Sequence, residues 1–298
     1  MKIVLAGGSG FCGRALRAFF VARGDEVVVL SRSAGEGRVV WDGKTAGDWC
    51  RELEGAQALI NLTGRTVDCR YTERNRAEIL NSRVDSTRVL GEAIAACAEP
   101  PRVWLNSWTA TIYPDTRGEL LANDESNEPG EDFSMNVAKA WEAAFFEHAR
   151  VGVRQVALRT CIVLGKGGGA FVPLRNLTRL WLGGHQGDGS QWVTWMHIDD
   201  FVQQVVFLLE REDVSGPVNC TGVRPVSNRA FMAAFREACG RSWGLPQPAG
   251  LVKFGAVFVR TESELVLKSR KVVSAKLAAA GYQWRWPELG PALADLCS

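Results

Sequence analysis

Lys2-Ile3-Val4-Leu5-Ala6-Gly7-Gly8-Ser9-Gly10-Phe11-Cys12-Gly13 opens the chain, and its reading decides the fold. Lys2 to Ala6 has the texture of a short buried strand. Gly13 to Arg23 reads as a helix with Leu16, Phe19 and Phe20 on one face and Gly24 as its stop. A strand, a glycine turn and a helix N-terminus make an anion site, because glycines let backbone come close and the first helical N–H groups point their dipole at the charge. The glycines here are Gly7, Gly10 and Gly13, spaced G-x-x-G-x-x-G rather than G-x-G-x-x-G. Between a strand and a helix, this turn predicts that Gly7, Gly10, Phe11, Cys12 and Gly13 hold the pyrophosphate of a dinucleotide. The competing reading is a tight turn with no ligand.

A second strand, Glu26 to Leu30, follows and runs into Ser31-Arg32. An NAD-preferring site ends this strand in Asp or Glu, whose carboxylate holds the ribose 2′-hydroxyl and repels a 2′-phosphate. Ser31 and Arg32 offer a hydroxyl and a guanidinium instead, which selects NADP(H); a solvated loop charge would look the same at Arg32. Asp42, after the third apolar run, is placed either at the adenine amino group or at the start of a turn. Leu62, Thr63 and Gly64 close the fourth run at the carboxyl edge, where ligands of open α/β sheets bind. Gly64 serves either close backbone approach or an ordinary turn.

Further apolar runs at 38–41, 58–62, 102–106 and 155–164 alternate with segments of helical period, which predicts a parallel sheet covered by helices on both faces. One helix spans 73–97, with Leu80, Val84, Thr87 and Ile94 on one face and Gly91 allowing close approach. Another lies near 136–150 and buries Val137, Trp141, Ala144, Phe145 and His148. After Leu164 the texture changes to glycine-rich loops, and the loop from Gly183 to Trp195 reads either as a pocket lid or, through its aromatics, as core. The expected division is a nucleotide-binding domain over 1–165, with returns near 194–222, and a substrate-covering region made of 166–193 and 223–298.

Lysine plus arginine number 35 against 33 acidic residues, so a formal charge of +2 gives no electrostatic case for nucleic acid or an anionic membrane surface. No apolar stretch is long enough to span a bilayer, and no signal peptide is read at the start. The eight cysteines are scattered, with no C-x-x-C pair and only three histidines beside them. That pattern predicts no metal site and reduced thiols in the cytoplasm. A homodimer is compatible with all of this.

Together these pieces resemble the extended short-chain dehydrogenase/reductase superfamily, which holds sugar-nucleotide epimerases and dehydratases. The resemblance is carried by Gly7 to Gly13, Ser31-Arg32, Asn61 to Gly64, Ser82-Arg83-Val84, Trp141-Glu142, Leu158-Arg159-Thr160 and Trp195 to Asp200. It runs nearly end to end and is strongest to an atypical branch described only as NAD(P)-dependent epimerase family proteins, with a C-terminal domain of unknown function matching Lys271 to Leu293. It implies a Rossmann-type doubly wound sheet with a smaller C-terminal substrate region. It also adds Arg83 to the cofactor set.

Superfamily members with established chemistry use a tyrosine and a lysine four residues later, the lysine lowering the phenol's pKa for proton transfer. The three tyrosines here, Tyr71, Tyr113 and Tyr282, are followed at that spacing by Asn75, Arg117 and Trp286. Placing the family helix by Trp141-Glu142 puts Ser134 and Ala138 at the dyad positions; a one-residue shift to use Lys139 puts Met135 where tyrosine belongs. Thr109 occupies the position of the hydroxyl that polarises substrate, and Tyr113 is the substitute proton donor, unless it anchors the loop leaving its strand. Asp199 or Asp200 is the expected N-cap of the helix after His197. The reading is an NADP(H)-binding oxidoreductase or epimerase-like enzyme for an unidentified small molecule, with a catalytically silent nucleotide sensor or scaffold as the alternative.

Overall fold

The computed structural model describes residues 1–118, 120–252, 262 and 264–298, so 253–261 and 263, within the expected C-terminal region, lie outside the described residues. Strands β1 (Lys2–Ala6), β2 (Glu26–Ser31), β3 (Arg38–Val40), β4 (Ala58–Asn61), β5 (Val103–Thr109) and β6 (Arg154–Thr160) alternate with helices α1 (Phe11–Ala22), α2 (Glu73–Ala96) and α3 (Phe133–Glu147). After β6 come β7 (Ile162–Gly165), β8 (Gly168–Gly169), α4 (Phe171–Arg179), β9 (Trp192–Val193), β10 (Trp195–His197), α5 (Ile198–Glu210), β11 (Gly216–Cys220), β12 (Val226–Ser227) and α6 (Asn228–Ala238). Short helices α7 (Glu264–Leu267) and α8 (Ala275–Ala279) and the terminal α9 (Leu289–Cys297) complete the described elements.

The main sheet has seven strands in the order β3-β2-β1-β4-β5-β6-β11, every pair parallel. Strand alternation explains why β1 reads as continuously apolar. Val4 and Ala6 face a core containing Leu90 and Ile94 of α2 and Trp141 and Phe145 of α3. Ile3 and Leu5 face the opposite core, with Leu16 and Phe20 of α1 and Phe201 and Val205 of α5. A strand buried on both faces has no polar side to show. The order reverses between β1 and β4, which opens a crevice at their carboxyl ends.

Several boundaries differ from the sequence expectation. The single run 155–164 is two strands: the chain turns at Cys161, whose N–H bonds to the carbonyl of Cys220, and β7 leaves the main sheet to pair with β10. On α2 the buried positions are Ile79, Ser86, Thr87, Val89, Leu90, Gly91, Ala93 and Ile94, while Leu80 and Val84 are half-buried, because the helix also packs on α3. Gly91 does allow a close approach, since a Cβ there would collide with the ring of His148. The 185–195 stretch is largely a packed wall rather than a lid: Gln186, Gln191 and Trp195 are buried, and Trp195 lies in a third core with Phe171, Phe235 and Leu293.

The cap of α5 is His197 itself, whose Nδ1 accepts from the N–H of Asp199 at 3.0 Å. β10 ends at that residue, so the imidazole is the first side chain able to reach back. Asp200 is enclosed and accepts from the N–H groups of Arg285 (2.8 Å) and Trp286 (3.0 Å) and from the Tyr282 hydroxyl (3.3 Å). Asp200→Ala removes the side-chain acceptor of two backbone N–H groups and a buried hydroxyl, and the free energy of unfolding in urea is expected to fall by about 2–3 kcal/mol.

Candidate functional site

The glycine turn sits at the β1/β4 crevice, and its three glycines do different work. Gly7 has φ +73°, and a Cβ there would lie 2.9 Å from the Leu62 carbonyl carbon and the Thr63 nitrogen. A Cβ on Gly13 would lie 2.6 Å from Gly8 Cα, so the first turn of α1 rests directly on the loop. Gly10 is constrained by neither: a Cβ there meets only the Gly7 carbonyl oxygen, at 3.6 Å. Helix α1 begins after Gly10 with no capping side chain and no acidic residue in its first turn. The N–H groups of Phe11, Cys12 and Gly13 therefore have no carbonyl within the helix to bond.

Side chains around the turn hold it from outside. Arg14 donates to the carbonyls of Ser9 and Gly167, each at 3.0 Å. The Phe11 ring packs onto the 165–169 glycine loop, and a Cβ on Gly168 would come within 3.2 Å of it. Burial pushes the Cys12 thiol up to about 12, so Cys12 contributes its backbone and not a thiolate. Arg14 was not legible as a site residue, although a basic residue in the first turn of a helix is the signal that marks it.

Across the crevice, Asn61 is fully buried and donates to Asn106 Oδ1 at 2.7 Å, while its own Oδ1 accepts from the N–H of Thr63 at 3.0 Å. This fixes the 62–64 turn. The Thr63 hydroxyl is buried with no hydrogen-bond partner among the described residues. Gly64 lies against Arg83, since a Cβ there would be 3.2 Å from the guanidinium carbon. Arg83 donates to the carbonyls of Arg65 and Ile79, lies 5.2 Å over Trp141, and is lowered to about 10 by burial. Ser31 is buried at the end of β2; Arg32 is exposed and has no ion pair or hydrogen bond among the described residues.

Asp42 uses both carboxylate oxygens within its own turn, accepting from Lys44 N (2.8 Å), Thr45 N (2.9 Å) and Thr45 Oγ1 (2.8 Å). Those bonds, Thr45 and Lys44 foremost, lower it from 3.8 to about 2. The turn-starting role is thus the one its geometry shows.

The end of β5 separates the two catalytic candidates. Thr109 is half-buried at the strand's carboxyl end and shares a 2.8 Å hydrogen bond with the Thr111 hydroxyl. Tyr113 is fully buried instead: Arg159 Nη1 donates to its hydroxyl at 2.7 Å, and that hydroxyl donates to Asn219 Oδ1 at 2.9 Å. Glu142 completes the cluster with a two-oxygen pairing to Arg159 at 2.9 and 3.0 Å. Burial pushes the phenol up. The Tyr113 hydroxyl faces the protein interior, which is the anchoring arrangement of the two that the sequence left open.

The comparisons match this architecture. The model of the "NAD dependent epimerase/dehydratase family" matches residues 3–220, and that of a "domain of unknown function (DUF1731)" matches 248–296. The chain belongs to the NAD dependent epimerase/dehydratase family. It is 34% identical to human epimerase family protein SDR39U1 over 99% of both chains, and 30% identical to epimerase family protein YfhF of Bacillus subtilis over 99% of this chain and 98% of that one. The crystal structure of human SDR39U1 (isoform2) with NADPH superposes with a TM-score of 0.91 over 100% of this chain and 99% of that one. A UDP-N-acetylglucosamine 4-epimerase of Bacillus cereus, 18% identical, shares the fold with a TM-score of 0.77, covering 100% of this chain and 98% of that one. Among the described residues of this family member, no helix is long and apolar enough to cross a membrane.

Two outcomes follow from the geometry. Tyr113→Phe leaves Arg159 Nη1 and Asn219 Oδ1 without the hydroxyl they share, and a loss of about 1–3 kcal/mol in urea-induced unfolding is expected, with nucleotide affinity unchanged. Because the Asp42 carboxyl is depressed in the folded state, its contribution is complete above pH 4 or so and disappears as pH falls through about 2. The stability difference between wild type and Asp42→Ala, followed by circular dichroism, should shrink to nothing over that window.

Proposed function

We propose that this protein binds NADP(H) along the β1/β4 crevice and acts as an oxidoreductase or epimerase-like enzyme on an unidentified small molecule. The observation that carries the reading is Gly10: a position where the fold itself has room for a side chain, kept bare beside three helix N–H groups that have no acceptor in the helix. Gly7, Gly10, Phe11, Cys12 and Gly13 hold the pyrophosphate, and Leu62, Thr63 and Gly64 line the opposite wall. The orphaned Thr63 hydroxyl supports a polar ligand there. Ser31 and the unpaired Arg32 bind the 2′-phosphate, Arg83 steadies Gly64, and Thr109 faces the substrate. The NADPH in the human SDR39U1 crystal structure supports the choice of cofactor. NADP(H), when bound, supplies or removes a hydride; the chain binds, orients and moves the proton.

Residues 166–193 and 223–298 are read as the substrate-covering region, and the eight free cysteines support a reducing compartment such as the cytoplasm.

Calorimetric titration tests the assignment. Wild type should bind NADPH more tightly than NADH, and Arg32→Asp should lose about tenfold or more in NADPH affinity, the worth of one charge-assisted phosphate contact. An unchanged preference overturns the 2′-phosphate site. Gly10→Val should abolish nucleotide binding while leaving the unfolding midpoint near wild type, whereas Gly13→Ala should destabilise the fold itself.

A further inference from the structure

Helices α6 and α9 lie side by side against the third core, where Phe231, Phe235 and Leu293 are buried and Ala238 and Cys297 pack on them. That packing brings the ends of the two helices together. Cys239 caps α6, its N–H donating to the Phe235 carbonyl at 3.0 Å, and Cys297 is the last residue of α9. Their sulfurs lie 3.9 Å apart, within reach of an S–H···S hydrogen bond, although the residues are 58 positions apart in the chain. Both side chains are half-buried, so the pair can be reached from solvent. Among the described residues these are the only two thiols in hydrogen-bonding contact. A disulfide needs its sulfurs roughly 2 Å apart, and the surroundings leave room to close the gap. A Cβ on Gly240, which turns the chain out of α6 at φ +66°, would meet nothing within 4 Å, and Cys297 lies beyond Leu293 and Leu296, the buried anchors of α9.

We propose that Cys239 and Cys297 are a redox-active dithiol that exchanges with low-molecular-weight disulfides and closes into a bond fastening α9 to α6. The inference does not depend on the cofactor reading. The thiolate of Cys239 attacks one sulfur of the small disulfide, which forms a mixed disulfide and releases one small thiolate. Cys297 then gives up its proton, its sulfur attacks the Cys239 sulfur, and the second small thiolate leaves. Two protein sulfurs are oxidised and one small disulfide is reduced; the two protons lost by the cysteines are those taken up by the two small thiols. Burial and the neighbouring Cys239 push the Cys297 thiol up to about 11, against the charges of Arg179 and Arg175, so Cys297 is held as a thiol at neutral pH and reacts second. The same two arginines favour an approaching disulfide that carries carboxylates. In a reducing compartment the pair rests open and closes only as small disulfides accumulate. Closure acts on a helix that also carries Asp295, whose carboxylate lies 3.3 Å from His197 Nε2 at the cap of α5.

The test treats the reduced full-length protein with oxidised glutathione, blocks the remaining thiols in denaturant and reads the intact mass. Two of the eight cysteines should become closed to alkylation, and digestion should yield one joined fragment holding Cys239 and Cys297. Dithiothreitol should separate it again. Cys297→Ser should instead retain one glutathione on Cys239, because no second sulfur is present to displace it. The oxidised wild type should unfold roughly 5 °C higher than the reduced form, as expected for closing a loop of this length, and the amides of α9 should exchange with deuterium more slowly. Cys297→Ser should show neither change on oxidation. Wild type that carries only glutathione adducts, or a crosslink joining other cysteines, overturns the proposal. A mapped Cys239–Cys297 bond that leaves both the unfolding midpoint and α9 exchange unmoved overturns the fastening of α9.

Discussion

Backbone touching backbone at two glycines is the constraint on which the rest of this molecule depends. Gly13 lets α1 rest on the turn at Gly8, and Gly7 lets that turn rest on the start of the loop after β4. Together they fix the angle at which α1 leaves the sheet and bring its uncapped N-terminus over the point where strand order reverses. Any side chain at either position would have to push a main chain aside, and main chain in a seven-stranded parallel sheet has nowhere to go. The anion cradle is a by-product of this packing: once helix and strand are that close, the first N–H groups can face only the crevice.

A second constraint divides the polar groups beyond β5. Arg159 is enclosed, and Tyr113, Asn219 and Glu142 surround it. Its Nη1 donates to Tyr113 and its Nη2 to Glu142, so these groups are committed to one another, while its Nε is buried with no hydrogen-bond partner among the described residues. The same network ties β6 and β11 to the loop after β5, and Glu125 extends it by accepting from Asn219 N and from the N-terminus of α8. The polar groups beyond β5 are therefore largely engaged with one another.

How far this was legible depends on how many segments each feature joins. The glycine turn, the β2 terminus at Ser31-Arg32 and the alternation of strands and helices are local, so residue identity alone reveals them. The fate of Tyr113 is not local: Asn219, Glu142 and Arg159 come from three different elements, and a tyrosine after a strand looks the same whether its hydroxyl turns in or out. The cap at His197 escaped because side-chain preference points to Asp, whereas the abrupt step from β10 to α5 lets only the imidazole reach back. Tyr71 could be read as lacking a following lysine but not as packing edge-on against Phe133, because that pairing exists only once the start of α3 lies beside the loop before α2.

The segment after residue 262 also changes what kind of site this is. Ser269 to Val273 runs as an extended tie between two loops, with Arg270 N donating to Trp192 O and Asn123 N to Lys271 O, at 2.9 and 2.7 Å. Lys268 and Glu264 are held by that tie at the N-terminus of α3. A lysine on α3 four residues after a tyrosine would move only with its helix; here the ammonium sits on a separate segment, reaching α3 through Asp132 and Glu264. The charge balance at the start of α3 is consequently set by how firmly this segment is docked. The start of α3 is thereby coupled to the docking of the 264–273 stretch, a coupling that a dyad confined to one helix does not have.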